Sequence, residues 1–327
     1  MAFAECKQPE PISLKVSAKV NLCLHAGQLG DDGYHDITMV YQAVSLYDTL
    51  TISFPQEAPQ GLTMTVTGMD SDRIPSDERN LVIQAARLLA NHCGIADPHL
   101  RFDLIKAIPT EAGLGGGSAD AAAALVGCDM LWKTGLSKDQ LMAVGAQVGE
   151  DVPFFIWGLV AINIGHQRPL LLMEVGPQSI GTWHWVLGIL PTGLSTRDVF
   201  ARFSQVIPGR NSCSTELAQA ARCQETEIEK CLQTDWVHVP PQTLVSQLVN
   251  NLEEPAMELM PEIRTALQEG EAAGAVASVM AGSGSTCLYL ASNEDHAKSL
   301  AVALGDRKLF REIVTAHGPV EAIQGLV

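Results

Sequence analysis

The segment Gly113-Leu114-Gly115-Gly116-Gly117-Ser118 constrains this chain more than any other. It follows a strand-like run, Leu100 to Ile105, closed by Ile108-Pro109. It opens an alanine-rich stretch from Ala119 to Trp132 with strong helix propensity. Glycines ahead of a helix let backbone N–H groups converge on an anion with no side chain in the way. The helix N-terminus adds partial positive charge. Ser118 can cap that helix or bind phosphate or metal. A P-loop requires a lysine after the glycines, and none follows here. A dinucleotide fingerprint requires a third glycine where this chain has Ser118, and it belongs near a first βαβ unit rather than beyond residue 100. The loop alone leaves a phosphate cradle, a dinucleotide fold and a purely structural turn open.

Charge sharpens the question. The formal net charge is −16 over 327 residues, so no basic footprint for nucleic acid or a membrane surface exists, and any anionic ligand must be held by local donors. Hydrophobic residues make up 46%, enough for a large core, and the length suggests two domains. The N-terminal residues lack the apolar run of a signal peptide, and no stretch of 18 apolar residues is present, so a cytoplasmic protein is expected. The eight cysteines form no C-x-x-C pair, and the spacing of Cys213, Cys223 and Cys231 is too loose for structural zinc; reduced thiols are expected.

Alternating runs predict strands at Ser13–Val16, Thr49–Phe54 and Leu62–Val66, and later at Leu159–Ile164, Trp185–Leu190, Val276–Met280 and Cys287–Leu290. Helices are predicted over Asn80–Asn91, Ala119–Trp132 and Lys138–Val148. Strand-rich then mixed organisation predicts an α+β fold. A Gly-, Pro- and Gln-richer stretch from Gly165 to Gly181 places a boundary near Arg168-Pro169, giving domains 1–168 and 169–327.

Four ordered segments then carry a resemblance. They are Ser17-Ala18-Lys19-Val20-Asn21-Leu22, Asp32-Gly33-Tyr34-His35, the run Pro109-Thr110-Glu111-Ala112-Gly113-Leu114-Gly115-Gly116-Gly117-Ser118-Ala119-Asp120-Ala121-Ala122, and Gly149-Glu150-Asp151-Val152-Pro153-Phe154. Leu252-Glu253-Glu254-Pro255-Ala256 and Met280-Ala281-Gly282-Ser283-Gly284-Ser285-Thr286 extend it across almost the whole chain. Together they resemble the galactokinase, homoserine and mevalonate (GHMP) kinases. The D-G-Y-H segment beside the P-A-K-like motif resembles the branch that phosphorylates CDP-methylerythritol in non-mevalonate isoprenoid synthesis. The chain departs from the pattern at Ser17, at Glu111-Ala112, at Asn251, at Gly165-His166-Gln167-Arg168 and at Ser285.

The resemblance implies a two-domain fold, with a ribosomal protein S5 domain 2-like first half and a ferredoxin-like second half, and a cleft between them. It implies transfer of the ATP γ-phosphoryl group to an alcohol. The Pro109–Ala119 run would bind ATP, and Lys19 and Asp151 would be catalytic. Asn21 would hydrogen-bond the methylerythritol hydroxyls. Tyr34 and His35 offer a stacking surface and a hydrogen-bonding ring suited to cytosine. Thr196 and Phe200 are similar to a segment that closes the substrate site, and Gly282-Ser283-Gly284 would support the phosphates. Mg²⁺ is implied as the partner of ATP, with Ser118 as a ligand. A sister kinase acting on mevalonate, homoserine or a sugar is the alternative. A non-catalytic nucleotide-binding regulator would keep the glycine loop but lack Lys19 and Asp151, and both are present.

Overall fold

The computed structural model describes residues 9–30, 33–55, 61–165, 170–173, 181–206, 225–226, 228–238 and 240–326. The boundary expected at Arg168-Pro169 lies outside these, as do Asp32, Cys6, Cys213 and Cys223.

Two long strands organise the first half. β1 (Ile12–Leu29) and β2 (His35–Ser53) pair antiparallel from Ile12 opposite Ile52 to Leu29 opposite His35. The register shifts at Ser17/Ala18, Asn21/Cys23 and Ala26/Leu29. Each irregularity bends the ribbon and increases its twist. β3 (Leu62–Gly68), β4 (Leu100–Lys106), β5 (Val160–Ile164) and β6 (Leu171–Leu172) complete that half's share of the sheet. Four helices pack with it: α1 (Leu81–His92), α2 (Gly116–Trp132), α3 (Lys138–Val148) and α4 (Val152–Trp157). α2 is buried nearly all round, and its alanines let α1, α3, α4 and the strands approach together. Gly127 allows a close approach: a Cβ there would fall 2.4 Å from Ile52 Cδ1 and push that side chain aside.

The second half builds an antiparallel sheet in the order β11-β7-β10-β9, where β7 is Trp183–Ile189, β9 Ala277–Met280, β10 Cys287–Ala291 and β11 Glu312–Gly318. This is the ferredoxin-like strand order. Among its helices are α5 (Thr196–Val206), α6 (Glu253–Leu259), α7 (Glu262–Ala272) and α8 (Glu294–Gly305). The fold is therefore α+β, as expected. Two short strands cross back to the first sheet: β8 (Val249–Asn250) runs parallel to β1 at Cys23 and Leu24, and β12 (Ile323–Leu326) pairs with Ser13 to Val16. Trp185 Nε1 donates to Gln42 Oε1 at 2.9 Å, joining the two sheets through the core.

β1 thus has two edge partners with a gap between them, and the gap carries the chemistry. There the Lys19 amide donates to the Leu114 carbonyl of the glycine loop (3.0 Å), and the Ser17 amide donates to the Ala322 carbonyl (2.8 Å). The predicted strand Ser13–Val16 is only the start of an 18-residue one, because burial on both faces hides the alternation beyond Val16.

Candidate active site

Strand alternation puts Lys19 and Asn21 on one face of β1. Lys19 Nζ donates to Asn21 Oδ1 at 2.7 Å, and both side chains are buried. Burial pushes the Lys19 ammonium below the ordinary lysine range, and the charge of Asp151 partly offsets this. Tyr41 stands opposite Asn21 in the β1–β2 register, and its hydroxyl donates to Asp151 Oδ1 at 2.8 Å. Burial first, and the Asp151 charge second, hold that phenol well above its usual range, so it remains a donor. Asp151 occupies the N-cap position of α4 yet makes no capping bond with its side chain. Its carboxylate is turned to Tyr41 and Lys19 instead.

The glycine loop lies against this cluster. Gly115 has φ +74, and a Cβ there would meet Phe155 Cζ at 2.8 Å and Lys19 Cγ at 3.1 Å. Gly113 has φ +77, and its Cβ would fall 2.0 Å from the Ala281 carbonyl oxygen. The second glycine turn therefore touches the first, backbone to backbone. Asn250 holds that second turn: its Nδ2 donates to the carbonyls of Met280 (2.8 Å) and Gly282 (2.7 Å). α2 starts at Gly116, so the amides of Gly116, Gly117 and Ser118 have no intrahelical acceptor.

A cleft of about 850 Å³ runs from this loop to an aromatic end. Tyr34, His35, Thr196, Phe200 and Ser204 line that end, with Lys19, Asp151 and Ser118 between. Tyr34 is 59% exposed, whereas the His35 ring is buried. His35 Nδ1 lies 2.7 Å from the Gly27 carbonyl, which can only accept, and Nε2 lies 2.7 Å from Ser204 Oγ. Phe200 and Phe203 pack on the ring at 5.6 and 5.3 Å between centroids. Thr196 Oγ1 and Ser283 Oγ are 2.8 Å apart, so α5 is fastened to the second glycine turn.

Comparison with known proteins bears on what such a cleft serves. The families described as GHMP kinases N terminal domain and GHMP kinases C terminal match residues 80–159 and 241–311. The 4-diphosphocytidyl-2-C-methyl-D-erythritol kinase of Salinispora tropica is 39% identical over 312 residues, 95% of this chain and 93% of that protein. The kinase of the same name from Nocardia farcinica is 40% identical over 316 residues, 95% of each chain. A crystal structure of 4-(cytidine 5'-diphospho)-2C-methyl-D-erythritol kinase superposes with a TM-score of 0.66 at 28% identity, covering 93% of this chain and 98% of that one. The chain belongs to the 4-diphosphocytidyl-2-C-methyl-D-erythritol kinases.

As a member of that kinase family, the chain departs from the expected pattern at Ser17, Asn251, Ser285 and Glu111, which the structure accounts for, and at Gly165-His166-Gln167-Arg168, of which 166–168 lie outside the described residues. Ser17 uses its amide to bond Ala322, which proline lacks. Asn251 accepts from the Ala26 amide and donates to the Ala26 carbonyl, both at 2.8 Å; an ionised aspartate could not donate the second bond. Ser285 Oγ donates to the Thr192 carbonyl at 2.6 Å. Glu111 adopts φ +52 and reaches out to Arg73 (2.7 Å), with its side chain 59% exposed. Sequence reasoning passed over Tyr41, Asn250 and a buried ion cluster of Asp48, Lys106 and Asp120. The signal was there for the cluster: Lys106 sits within Leu104-Ile105-Lys106-Ala107-Ile108 and Asp120 among alanines, and a charge in an apolar run must find a partner.

Proposed function

We infer that this kinase transfers the γ-phosphoryl group of ATP to the 2-hydroxyl of 4-diphosphocytidyl-2-C-methyl-D-erythritol, giving the 2-phosphate and ADP in non-mevalonate isoprenoid synthesis. The observation that carries the reading is that Lys19 and Asp151 line one cleft between the glycine loop and its aromatic end, with Asn21 and Tyr41 buried behind them and bonded to them.

Residues 1–168 supply the phosphate loop and the catalytic pair, and residues 169–327 supply α5 and the second glycine turn. The triphosphate lies along Pro109 to Ala119, with the amides of Gly116, Gly117 and Ser118 as donors. The cytosine sits at Tyr34 and His35 with Phe200 on its other side. A base that bonds His35 Nε2 displaces the Ser204 hydroxyl, which has a second acceptor 3.0 Å away in the Phe200 carbonyl. Asp151 takes the proton from the attacking hydroxyl. Tyr41 fixes the orientation of that carboxylate, and Asn21 and Lys19 align the hydroxyl. The Lys19 ammonium also offsets charge as it builds on the transferring group.

Mg²⁺ keeps several waters and is commonly held by one or two carboxylates together with nucleotide phosphates. Among the described residues no cluster of three or more His, Cys, Asp or Glu could hold a metal alone. Ser118 Oγ lies 3.9 Å from where a Cβ of Gly149 would be, beside the turn that carries Glu150 and Asp151. That hydroxyl-and-carboxylate set fits an ion entering with the nucleotide, and the ion would neutralise phosphate charge there.

The test is a phosphoryl-transfer assay with ATP against CDP-methylerythritol, mevalonate, homoserine and galactose. Turnover of CDP-methylerythritol alone is expected. Turnover of one of the other three in its place refutes the substrate assignment and leaves the kinase family standing.

A further inference from the structure

The loop from Ala107 to Gly115 leaves β4 at Lys106 and enters α2 at Gly116. Both of its ends are tied to one buried ammonium. Lys106 Nζ donates to Asp120 Oδ2 on α2 at 2.7 Å and to Asp48 Oδ2 on β2. Asp48 Oδ1 in turn accepts the first two amides of the loop, Ala107 N at 2.6 Å and Ile108 N at 2.8 Å. Exposure is 0% for Asp48, 4% for Lys106 and 4% for Asp120. A Cβ on Gly116 would lie 3.1 Å from Lys106 Nζ, so the ammonium abuts the first residue of the helix whose amides face the cleft.

We propose that Asp48, Lys106 and Asp120 are positioning residues for ATP: the triad fixes where the phosphate-binding amides point, and so sets nucleotide affinity. This rests on the reading of the glycine loop as the ATP site. The three side chains come from β2, β4 and α2: Asp48 takes the first two loop amides, Asp120 lies in the first two turns of α2, and Lys106 joins the two carboxylates. A cluster serving packing alone has no reason to take up two consecutive loop amides. The partners are unequal. Asp48 makes three bonds, whereas Asp120 makes one and its Oδ1 is buried with no hydrogen-bond partner. Removing the ammonium takes away the group that bridges the two buried carboxyls, so the tie between the loop and α2 is lost. The cytidine end, at the start of β2 and on α5, takes no bond from the triad.

Asp48→Asn puts an amide N–H₂ against the Lys106 ammonium. Asp120→Asn keeps a neutral acceptor for it. The experiment uses the full chain and a non-hydrolysable ATP analogue, with affinity by calorimetry, KM for ATP and for CDP-methylerythritol, and thermal unfolding to select folded variants. Loss of a charge-assisted bond predicts a Kd for the analogue roughly tenfold higher or more in Asp48→Asn and Lys106→Met, and roughly threefold higher in Asp120→Asn. KM for CDP-methylerythritol is expected to stay within about twofold of wild type, since uniform binding at the other end is untouched. If Asp48→Asn and Lys106→Met do not fold, Asp120→Asn, which loses one bond, carries the test. Wild-type Kd in the folded variants overturns the proposal, and so does a parallel rise in both KM values. Failure of the wild-type protein to bind the analogue overturns the ATP-site reading itself, a separate outcome.

Discussion

Gly113→Ala tests the contact on which the proposed phosphate site is built. The new Cβ would stand 2.0 Å from the Ala281 carbonyl oxygen and 2.8 Å from its carbon, at a residue with φ +77. The left-handed conformation costs a residue with a Cβ roughly 1–2 kcal/mol. Non-bonded carbons pack at about 3.5–4.0 Å, so the two glycine turns must part by more than about 1 Å. Neither neighbour can rotate away, because both are backbone, and the second turn is anchored by Asn250. Overpacking of this kind adds about 1–3 kcal/mol, for a total destabilisation of about 2–5 kcal/mol. A shift of about 1 Å in a catalytic constellation costs on the order of 10²-fold in rate, so kcat/KM for ATP should fall by that factor. Two companions make the series quantitative. Gly282→Ala (φ +53) meets Gly113 O at 3.0 Å and should fall between Gly113→Ala and wild type. Gly117→Ala finds nothing closer than Leu81 Cδ1 at 3.5 Å, so its fold should be as stable as wild type or more so, by up to about 1 kcal/mol from helix propensity. Denaturant unfolding and steady-state ATP kinetics on the three variants decide the matter. Wild-type stability and kinetics in Gly113→Ala, or a larger destabilisation from Gly117→Ala, would refute the reasoning.

Asp151→Asn should lower kcat by roughly 10²–10⁴-fold while both substrates still bind, and Lys19→Met should lower it without adding to the first effect; single-turnover rates of the two single variants and the double variant check this, and near-normal turnover in both singles refutes the site. The alkaline limb of the kcat profile should lie below the ordinary lysine value of 10.5, because burial lowers the Lys19 pKa, and it should move lower still in Asp151→Asn, which removes the charge that raises it; an unmoved limb refutes the coupling. Arg311→Met tests the bond between the halves at Asp70, whose carboxylate takes two guanidinium bonds at 2.8 Å and the Thr110 amide at 3.1 Å, and is held far below the usual range chiefly by Arg311. A depressed folded pKa contributes stability above the unfolded value of about 4 and loses it as pH falls further, so the stability deficit of Arg311→Met should be full at neutral pH and shrink below about pH 4; a deficit independent of pH, followed by urea unfolding, refutes it.

Much of the architecture is legible because local signals and packing agree. The helix over Lys138–Val148 has Ser137 and Gln140 as a capping box, and Asn80 caps α1 through the Val82 amide, so both boundaries are written in short-range chemistry. α2 is harder: the reading from Ala119 misses its opening, because the three residues there are glycine, glycine and serine, poor helix formers held by the surrounding loop. The lengths of β1 and β2 are hidden by burial on both faces and by three register shifts that break any period of two. At the site, motif residues such as Lys19 and Asp151 carry their own signal. Tyr41 does not, since an aromatic in an apolar strand reads as core, and it is core apart from one hydroxyl. Asp48 lies 58 residues from Lys106 in the chain, a pairing that only the β2–β4 register brings about.

On the proposed site, the same residues explain how a chain of charge −16 would hold a triphosphate. Lys19, Lys106 and Arg197 are the basic side chains lining the cleft among the described residues. Lys106 is taken by two carboxylates, Lys19 bonds Asn21 and faces Asp151, and Arg197 is exposed at the mouth. Little uncompensated positive charge therefore remains in the interior. A P-loop meets the same ligand with a lysine directed at the phosphates, and this loop has none. What remains are neutral donors, the amides at the start of α2, whose strength depends on direction more than on charge. Binding by direction demands a backbone held in one place. That is what the buried triad beneath the loop, the second glycine turn against Gly113 and the Asp70 clasp on Thr110 each provide, from three different sides. On the site proposed above, rigidity does the work that a cationic side chain does elsewhere, and Lys19 is left to act on the group in transfer.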